Sequence, residues 1–311
     1  PAHDELIRHA ANCQVPHTDD TSMTVLKPLP TKRKDATGPD PLDGDEVSPE
    51  RTGVFTSGIV ATRDGHRLAL YFTGRRHAGE NLAMVLAHRA PGLGPPLQMC
   101  DALSRNPPKA FEVILAHCLS HARRHIVDVT PNFPAEGRHV LETLRDVYRY
   151  DAQARERGLS PEARLSFHQT HSRPRMDALH TWCTTQLDAH LVEPNSGLGQ
   201  AITYFMKHWT PLTRFLEIPG APLDNNLVER ALKKAILHRK GALFYKTLTG
   251  ARVGDLFMSV IHTCELNGVN PFAYLIALQR HAPALAEMPG AWLPWTYGKT
   301  LQQLSASREA A

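Results

Sequence analysis

The chain has 311 residues, 42% hydrophobic and 21% charged, a balance that excludes disorder as the default and supports a full core in one large domain or two small ones. Lys and Arg number 35 against 31 for Asp and Glu, a formal charge of +4, which permits nucleic-acid binding without demanding it. Five cysteines with no Cys-x-x-Cys pair exclude a disulfide scaffold, and no apolar run approaches the roughly 18 residues that cross a bilayer, so the expected location is the cytoplasm. Pro1-Ala2-His3-Asp4-Glu5 lacks the basic-then-apolar pattern of a signal peptide, and a start at proline rather than methionine points to an upstream segment missing or processed away.

In chain order, Thr21 to Leu26 carries a β-branched run that reads as a first strand, with Pro16 just upstream unable to donate a ladder bond. Lys27 to Thr52, crowded with Pro, Gly, Asp and Lys, reads as an exposed, mobile loop. Val54 to Thr73 reads as two strands joined at a tight Asp64-Gly65 turn. Ala78 to His88 has Leu82, Val85 and Leu86 at helical spacing; Leu97 to Cys100 and Val113 to Ala116 are short buried strands, the first ending in Asp101. Between Gly137 and Trp209 the pattern is helical only, with a stripe of Val140, Leu141, Leu144, Val147 and Tyr148 stopped by Gly158, and helix starts at Ser160-Pro161 and Ser172-Arg173-Pro174. A last strong helix spans about Ala251 to Asn267, and its stripe of Val253, Leu256, Phe257, Val260, Ile261 and Cys264 is expected to face the core. Strands alternating with helices after an initial hairpin argue for a mixed sheet flanked by helices.

Three acids stand out. Asp19, with Asp20, sits beside the first strand; Asp101 ends a buried apolar strand that has no structural need of it; Glu229 lies in a helix starting near Asp224-Asn225-Asn226. Each has an ordinary reading, since paired aspartates are commonly loop features and Glu229 fits the third position of a capping-box-like start. Together they suit phosphoryl transfer, in which acidic oxygens hold two hard cations. Basic clusters supply what a phosphate polymer requires: Gly74-Arg75-Arg76-His77, His121-Ala122-Arg123-Arg124-His125, and Arg230 with Lys233, Lys234, His238, Arg239 and Lys240 directly after Glu229. A solvated helix face is the alternative for any one of them. His117, Cys118, His121 and His125 also allow a zinc reading, against which His117 and Cys118 are expected at a strand end rather than in the helix.

The segment Asp224-Asn225-Asn226-Leu227-Val228-Glu229-Arg230, followed by His238-Arg239-Lys240 and Leu243-Phe244, resembles the C-terminal signature of insertion-sequence-66 family transposases. Thr249-Gly250-Ala251 and the run from Ile261 through Glu265-Leu266-Asn267-Gly268 to Leu275 match the family's ending in order and spacing. Upstream, His117-Cys118-Leu119-Ser120-His121-Ala122-Arg123-Arg124 resembles the family's Cys-Trp-Ala-His-Ala-Arg-Arg stretch, with Leu119 and Ser120 in place of Trp and Ala. The resemblance spans about Thr18 to Arg280.

It implies a DDE-type transposase catalytic domain with a ribonuclease H-like mixed sheet flanked by helices, an all-helical insertion and a helical C-terminus. It also implies an acidic triad binding two Mg²⁺ (or Mn²⁺) ions. The last acid maps to Glu229; the second maps to Asp101, where Ala102-Leu103 replaces the family's Gly-Tyr; the first maps to Asp19. There Asp19-Asp20-Thr21 replaces Asp-Glu-Thr and leaves Asp20 as a possible substitute ligand. The expected layout is 1–136 as the first part of the catalytic domain, 137–209 as the insertion, 210–281 as its remainder and 282–311 as a C-terminal tail. DNA, both element ends and target, is the expected partner, gripped by Arg123, Arg124, Arg230, Lys233, Lys234, Arg239 and Lys240. A homodimer, accessory proteins and association with the bacterial nucleoid follow by analogy. Family members usually carry DNA-binding elements upstream of the catalytic domain, so the chain either relies on a removed segment or is a truncated copy. The competing expectations are a non-catalytic DNA-binding remnant and a structure-selective nuclease on the same scaffold.

Overall fold

The computed structural model describes residues 1–26 and 53–309; the loop expected from Lys27 to Thr52 lies outside them. The elements in chain order are α1 (Ala2–Ala11), β1 (Pro16–Ser22), β2 (Phe55–Arg63), β3 (His66–Gly74), α2 (Ala78–Leu86), β4 (Leu97–Cys100) and β5 (Ile114–His117). There follow α3 (Leu119–Val129), α4 (Pro134–Glu156), α5 (Pro161–His171), α6 (Arg173–Asp188), α7 (Gly197–Lys207) and α8 (Trp209–Leu212). The chain closes with α9 (Asn226–Ala242), α10 (Leu248–Leu266), α11 (Pro271–Arg280), α12 (Ala282–Glu287) and α13 (Tyr297–Glu309). Five strands of mixed direction flanked by helices make this a mixed α/β protein. No helix among the described residues is long and apolar enough to cross a membrane.

The chain divides into two compact units: residues 1–96, 105–113 and 227–311 in the first, residues 97–104 and 114–226 in the second. The first is built on an antiparallel meander, β1 on β2 and β2 on β3. Its hairpin turns at Asp64 and Gly65, both with positive φ, 51° and 78°, the geometry whose twist matches the flanking strands. Side chains alternate across the meander, so each face has its own cover. Ile59, Ala61, Leu68 and Leu70 pack with Leu6 and Ala10 of α1 and Leu82 and Val85 of α2. On the other face Val60, Ala69 and Tyr71 pack with Val228, Ala231, Leu232 and Ala235 of α9.

Two expectations for this unit are corrected, and one helix was not foreseen. The first strand is Pro16–Ser22, not Thr21 to Leu26, and Pro16 pairs with Ala61 at its first position, where a missing N–H is tolerated. Helix α1 went unread, although Leu6, Ala10 and Ala11 are buried. The stripe on α10 does not face the core as a whole: Val253, Leu256 and Phe257 are exposed, while Asp255, Ser259 and Thr263 are buried. The reason lies in β3. Its outward N–H groups at Ala69, Tyr71 and Thr73 donate to Thr263 Oγ1 (3.1 Å), Ser259 Oγ (3.0 Å) and Asp255 Oδ2 (2.5 Å). A helix lying along a strand edge needs acceptors at i, i+4 and i+8 more than it needs apolar contacts, because an unpaired edge is costly when buried. Burial pushes the Asp255 carboxyl up to about 6 against the opposing effect of the Thr73 hydrogen bonds.

In the second unit β4 and β5 run parallel, Leu97 opposite Ile114 and Cys100 opposite His117, and six helices follow. Ser160 caps α5 by accepting from the Ala163 N–H at 3.2 Å. Ser172 instead bonds His168 Nδ1 at 2.9 Å, so α6 starts at the expected place without that side-chain cap. His168 and Arg164 both hold Asp151, at 3.2 and 2.6 Å, tying α5 to α4. Gly158, with φ of 60°, ends α4 as a left-handed stop does. Residues 282–309 of the first unit hold α12, a 3-10 turn at Pro289–Trp292 and α13, and place Trp292 and Leu293 in its core.

Candidate active site

Asp19 and Asp20 lie within β1, on opposite faces of the meander. Asp20 pairs across to Ser57, and its side chain, only 4% exposed, accepts from Ser57 Oγ at 2.6 Å and from the Ala78 N–H at the start of α2 at 3.1 Å. His77 Nδ1 stands 3.1 Å and Arg105 Nε 3.9 Å from the same carboxylate. Asn81 braces the group from behind by donating to Ser57 Oγ at 2.7 Å. A carboxylate at a helix N-terminus, with this many donors, is fully engaged in holding α2 on the sheet.

Asp19 shares its row with Gly58 and Tyr71, on the face that α9 covers. A Cβ on Gly58 would meet Leu232 Cδ2 at 2.9 Å and Val228 Cγ2 at 3.2 Å, so glycine brings the first turns of α9 down onto this row. Tyr71 fixes the approach, its hydroxyl lying 2.9 Å from the Ala231 carbonyl and 2.7 Å from His262 Nδ1. Burial holds His262 down at about 4; with the phenol proton given to the Ala231 carbonyl, the neutral ring donates its Nδ1–H to the phenol oxygen. Glu229 follows Val228 in the same turn. Asp19 thus lies on the face covered by α9, the helix that carries Glu229, while Asp20, the substitute ligand left open by sequence, is turned to the other.

Beyond Glu229, Arg230, Lys233 and Lys240 are exposed on α9. Lys234 pairs with Glu265, and Arg239 bonds Ser22 and Thr21 at the end of β1. These two basic residues therefore also serve the fold. In the cluster at residues 74–77, His77 is taken up by Asp20 and Arg76 lies 3.5 Å from Met84 Sδ.

In the second unit Asp101 directly follows β4. Burial, then the Asp101 carboxylate, push the Tyr204 phenol up to about 12. His117 closes β5 and Cys118 stands at the N-terminus of α3; the Asn225 N–H donates to Cys118 Sγ at 3.2 Å. His117 faces His208 across 5.1 Å and, through burial first, is held at about 4. The His125 ring lies against Tyr204, centroids 4.4 Å apart and tilted by 43°. Arg123 and Arg124 are exposed on α3. Asp224 accepts from the Asn226 N–H at 3.2 Å and from its side-chain amide at 2.8 Å, the reason the Asp-Asn-Asn run starts a helix. Sequence reasoning missed Ser57, Asn81 and Arg105 around Asp20 and placed His77 only in a basic cluster, because these groups are gathered from separate elements. It also passed over Tyr204, whose only local signal was an aromatic in an apolar helix.

The family described as "Transposase IS66 family" matches residues 59–253. Similar proteins from Sinorhizobium fredii (strain NBRC 101917 / NGR234) include "Uncharacterized protein y4jD", 34% identical over 52% of this chain and 31% of that protein. "Uncharacterized protein y4hP" is 31% identical over 61% of this chain and 36% of its own length. The chain thus spans about a third of the length of the curated relatives it matches. No solved structure matches it.

Proposed function

Since the chain belongs to the insertion-sequence-66 family of transposases, we propose that it is the catalytic part of a metal-dependent DNA transposase in which Asp19, Asp101 and Glu229 hold two Mg²⁺ or Mn²⁺ ions. The observation that carries the reading is the split between the paired aspartates. Asp20 is engaged under α2, whereas Asp19 lies on the face to which Gly58 draws α9 and with it Glu229. Carboxylate oxygens are the donors that hard divalent cations take, so the residues present suit the group. Such ions, when bound, activate the attacking oxygen and stabilise the leaving one in an in-line displacement.

The chain's own work is positioning. Arg230, Lys233, Lys240, Arg123 and Arg124 hold the phosphodiester backbone, with Lys234 and Arg239 exchanging their internal partners for phosphate. Hydrolysis at an element end breaks one P–O bond and frees a 3′-hydroxyl. That hydroxyl then attacks a target phosphodiester, forming a new P–O bond as the old one breaks and its proton leaves. A ribonuclease H-like sheet, a dimer that pairs two element ends and accessory proteins of the element belong to the same proposal by analogy.

The test is calorimetric titration of Mn²⁺ into the chain with a short duplex present, comparing wild type with Glu229→Gln. Ion binding lost in the variant is the expected result. Equal binding in both, or none in either, would leave the non-catalytic remnant as the better reading. A labelled 3′-hydroxyl end recovered in a plasmid separates a transposase from a nuclease.

A further inference from the structure

Helices α3 and α4 leave their connecting turn pinched together: a Cβ on Gly137 would lie 2.4 Å from Thr130 Oγ1, so a residue without a side chain is needed there. Along the two helices lies a cleft of about 720 Å³ whose walls include Arg123, Arg138, Leu141, Glu142, Arg145 and Tyr148. All of it belongs to the second unit. Arg123 and Arg138 make no ion pair among the described residues, and Arg145 has an exposed contact with Asp146 at 3.4 Å. Burial and the Asp224 carboxylate keep the Tyr148 phenol protonated, its pKa well above the usual tyrosine range.

We propose that this cleft holds an unpaired DNA strand, taking one base against Leu141 and Tyr148 while the arginines hold the flanking phosphates. The inference rests on the transposase reading and deepens it. Its volume falls within the roughly 300–1,000 Å³ of clefts that enclose small ligands, so it admits a nucleotide, whereas a duplex keeps its bases stacked inside. Aromatic and apolar surface beside guanidinium groups is the arrangement that binds single strands, by stacking plus backbone charge. Glu142 decides between a bare phosphate site and a nucleotide site. A carboxylate repels phosphate but accepts from the exocyclic amine of a base edge.

The experiment is fluorescence anisotropy on the full chain with a short labelled oligonucleotide, unpaired or annealed to its complement, at one ionic strength. Arg138→Ala and Tyr148→Leu should each weaken single-strand binding about tenfold and change duplex binding less than about twofold. Tyr148→Phe, which keeps the ring, should bind as wild type does, and circular dichroism checks that the variants fold. Equal losses on both DNA forms, or no loss on either, would overturn the cleft assignment. If these variants bind normally while Glu229→Gln abolishes cutting, the cleft falls and the transposase reading stands. If the wild type binds unpaired DNA through the cleft yet never cuts, the reverse holds.

Discussion

On one face of the β1–β3 meander Asp20 is enclosed by Ser57, His77, Arg105 and the first N–H of α2; on the other, Asp19 lies in a row with Gly58 and Tyr71 beneath α9. The two residues are chemically identical and adjacent, yet the period of a strand sends them to environments with opposite demands. The Asp20 side is finished, each donor serving to anchor a helix. The Asp19 side is covered by α9, the helix that carries Glu229 and, after it, the exposed Arg230, Lys233 and Lys240. What surrounds Asp20 accounts for it as an anchor of α2, and the metal role proposed for Asp19 is what substitution at the two positions tests.

Substitution at the two positions breaks the comparison most sharply. Asp19→Asn should leave stability within about 0.5 kcal/mol and reduce strand cutting by about a thousandfold, the several kcal/mol a metal site contributes to charge stabilisation. Asp20→Ala should do the reverse in kind, costing about 3 kcal/mol in urea denaturation by stranding the donors of Ser57, His77 and Ala78 in the interior. Equal stability losses at both positions would show that Asp19 is structural too.

The edge of the same meander gives a smaller, pH-dependent effect. Asp255 is raised in the folded state to about 6, above its unfolded value. The folded form therefore binds more protons between about pH 4 and 6, and stability falls as pH rises through that window. Denaturation of wild type should show a loss of about 2 kcal/mol across it relative to Asp255→Asn, which cannot titrate; parallel profiles would refute the assignment. The smallest effect is expected at Gly58→Ala. Its Cβ meets Leu232 and Val228, so α9 must lift by a few tenths of an ångström at a cost of about 1 kcal/mol. Cutting should fall more than stability does if the seat of Glu229 matters.

Much of the fold was readable locally. Asp64-Gly65 named the hairpin because few residue pairs accept positive φ at both positions, and Leu82, Val85 and Leu86 named α2 by spacing. The parallel strands before Asp101 and Cys118 were legible as short apolar runs between turns. Helix α10 was misread because hydrophobic periodicity assumes that the buried face is the apolar one. Against the open edge of β3, hydrogen-bond acceptors were needed instead, and Val253, Leu256 and Phe257 went outward. The acids were found partly by residue type and partly by family likeness, which mapped the first to Asp19 with Asp20 as a substitute; that Asp20 is the one enclosed beneath α2 was not readable.

By itself the sequence determined the turns, the helix caps, the short strands and membership in a transposase family, since these depend on backbone preferences and motifs within a few residues. Only tertiary structure decided which aspartate is enclosed, which side of α10 is buried and that Arg123, Arg138 and Tyr148 line one cleft. Burial, hydrogen-bond satisfaction and charge proximity are properties of groups brought together from distant parts of the chain, and no local pattern contains them.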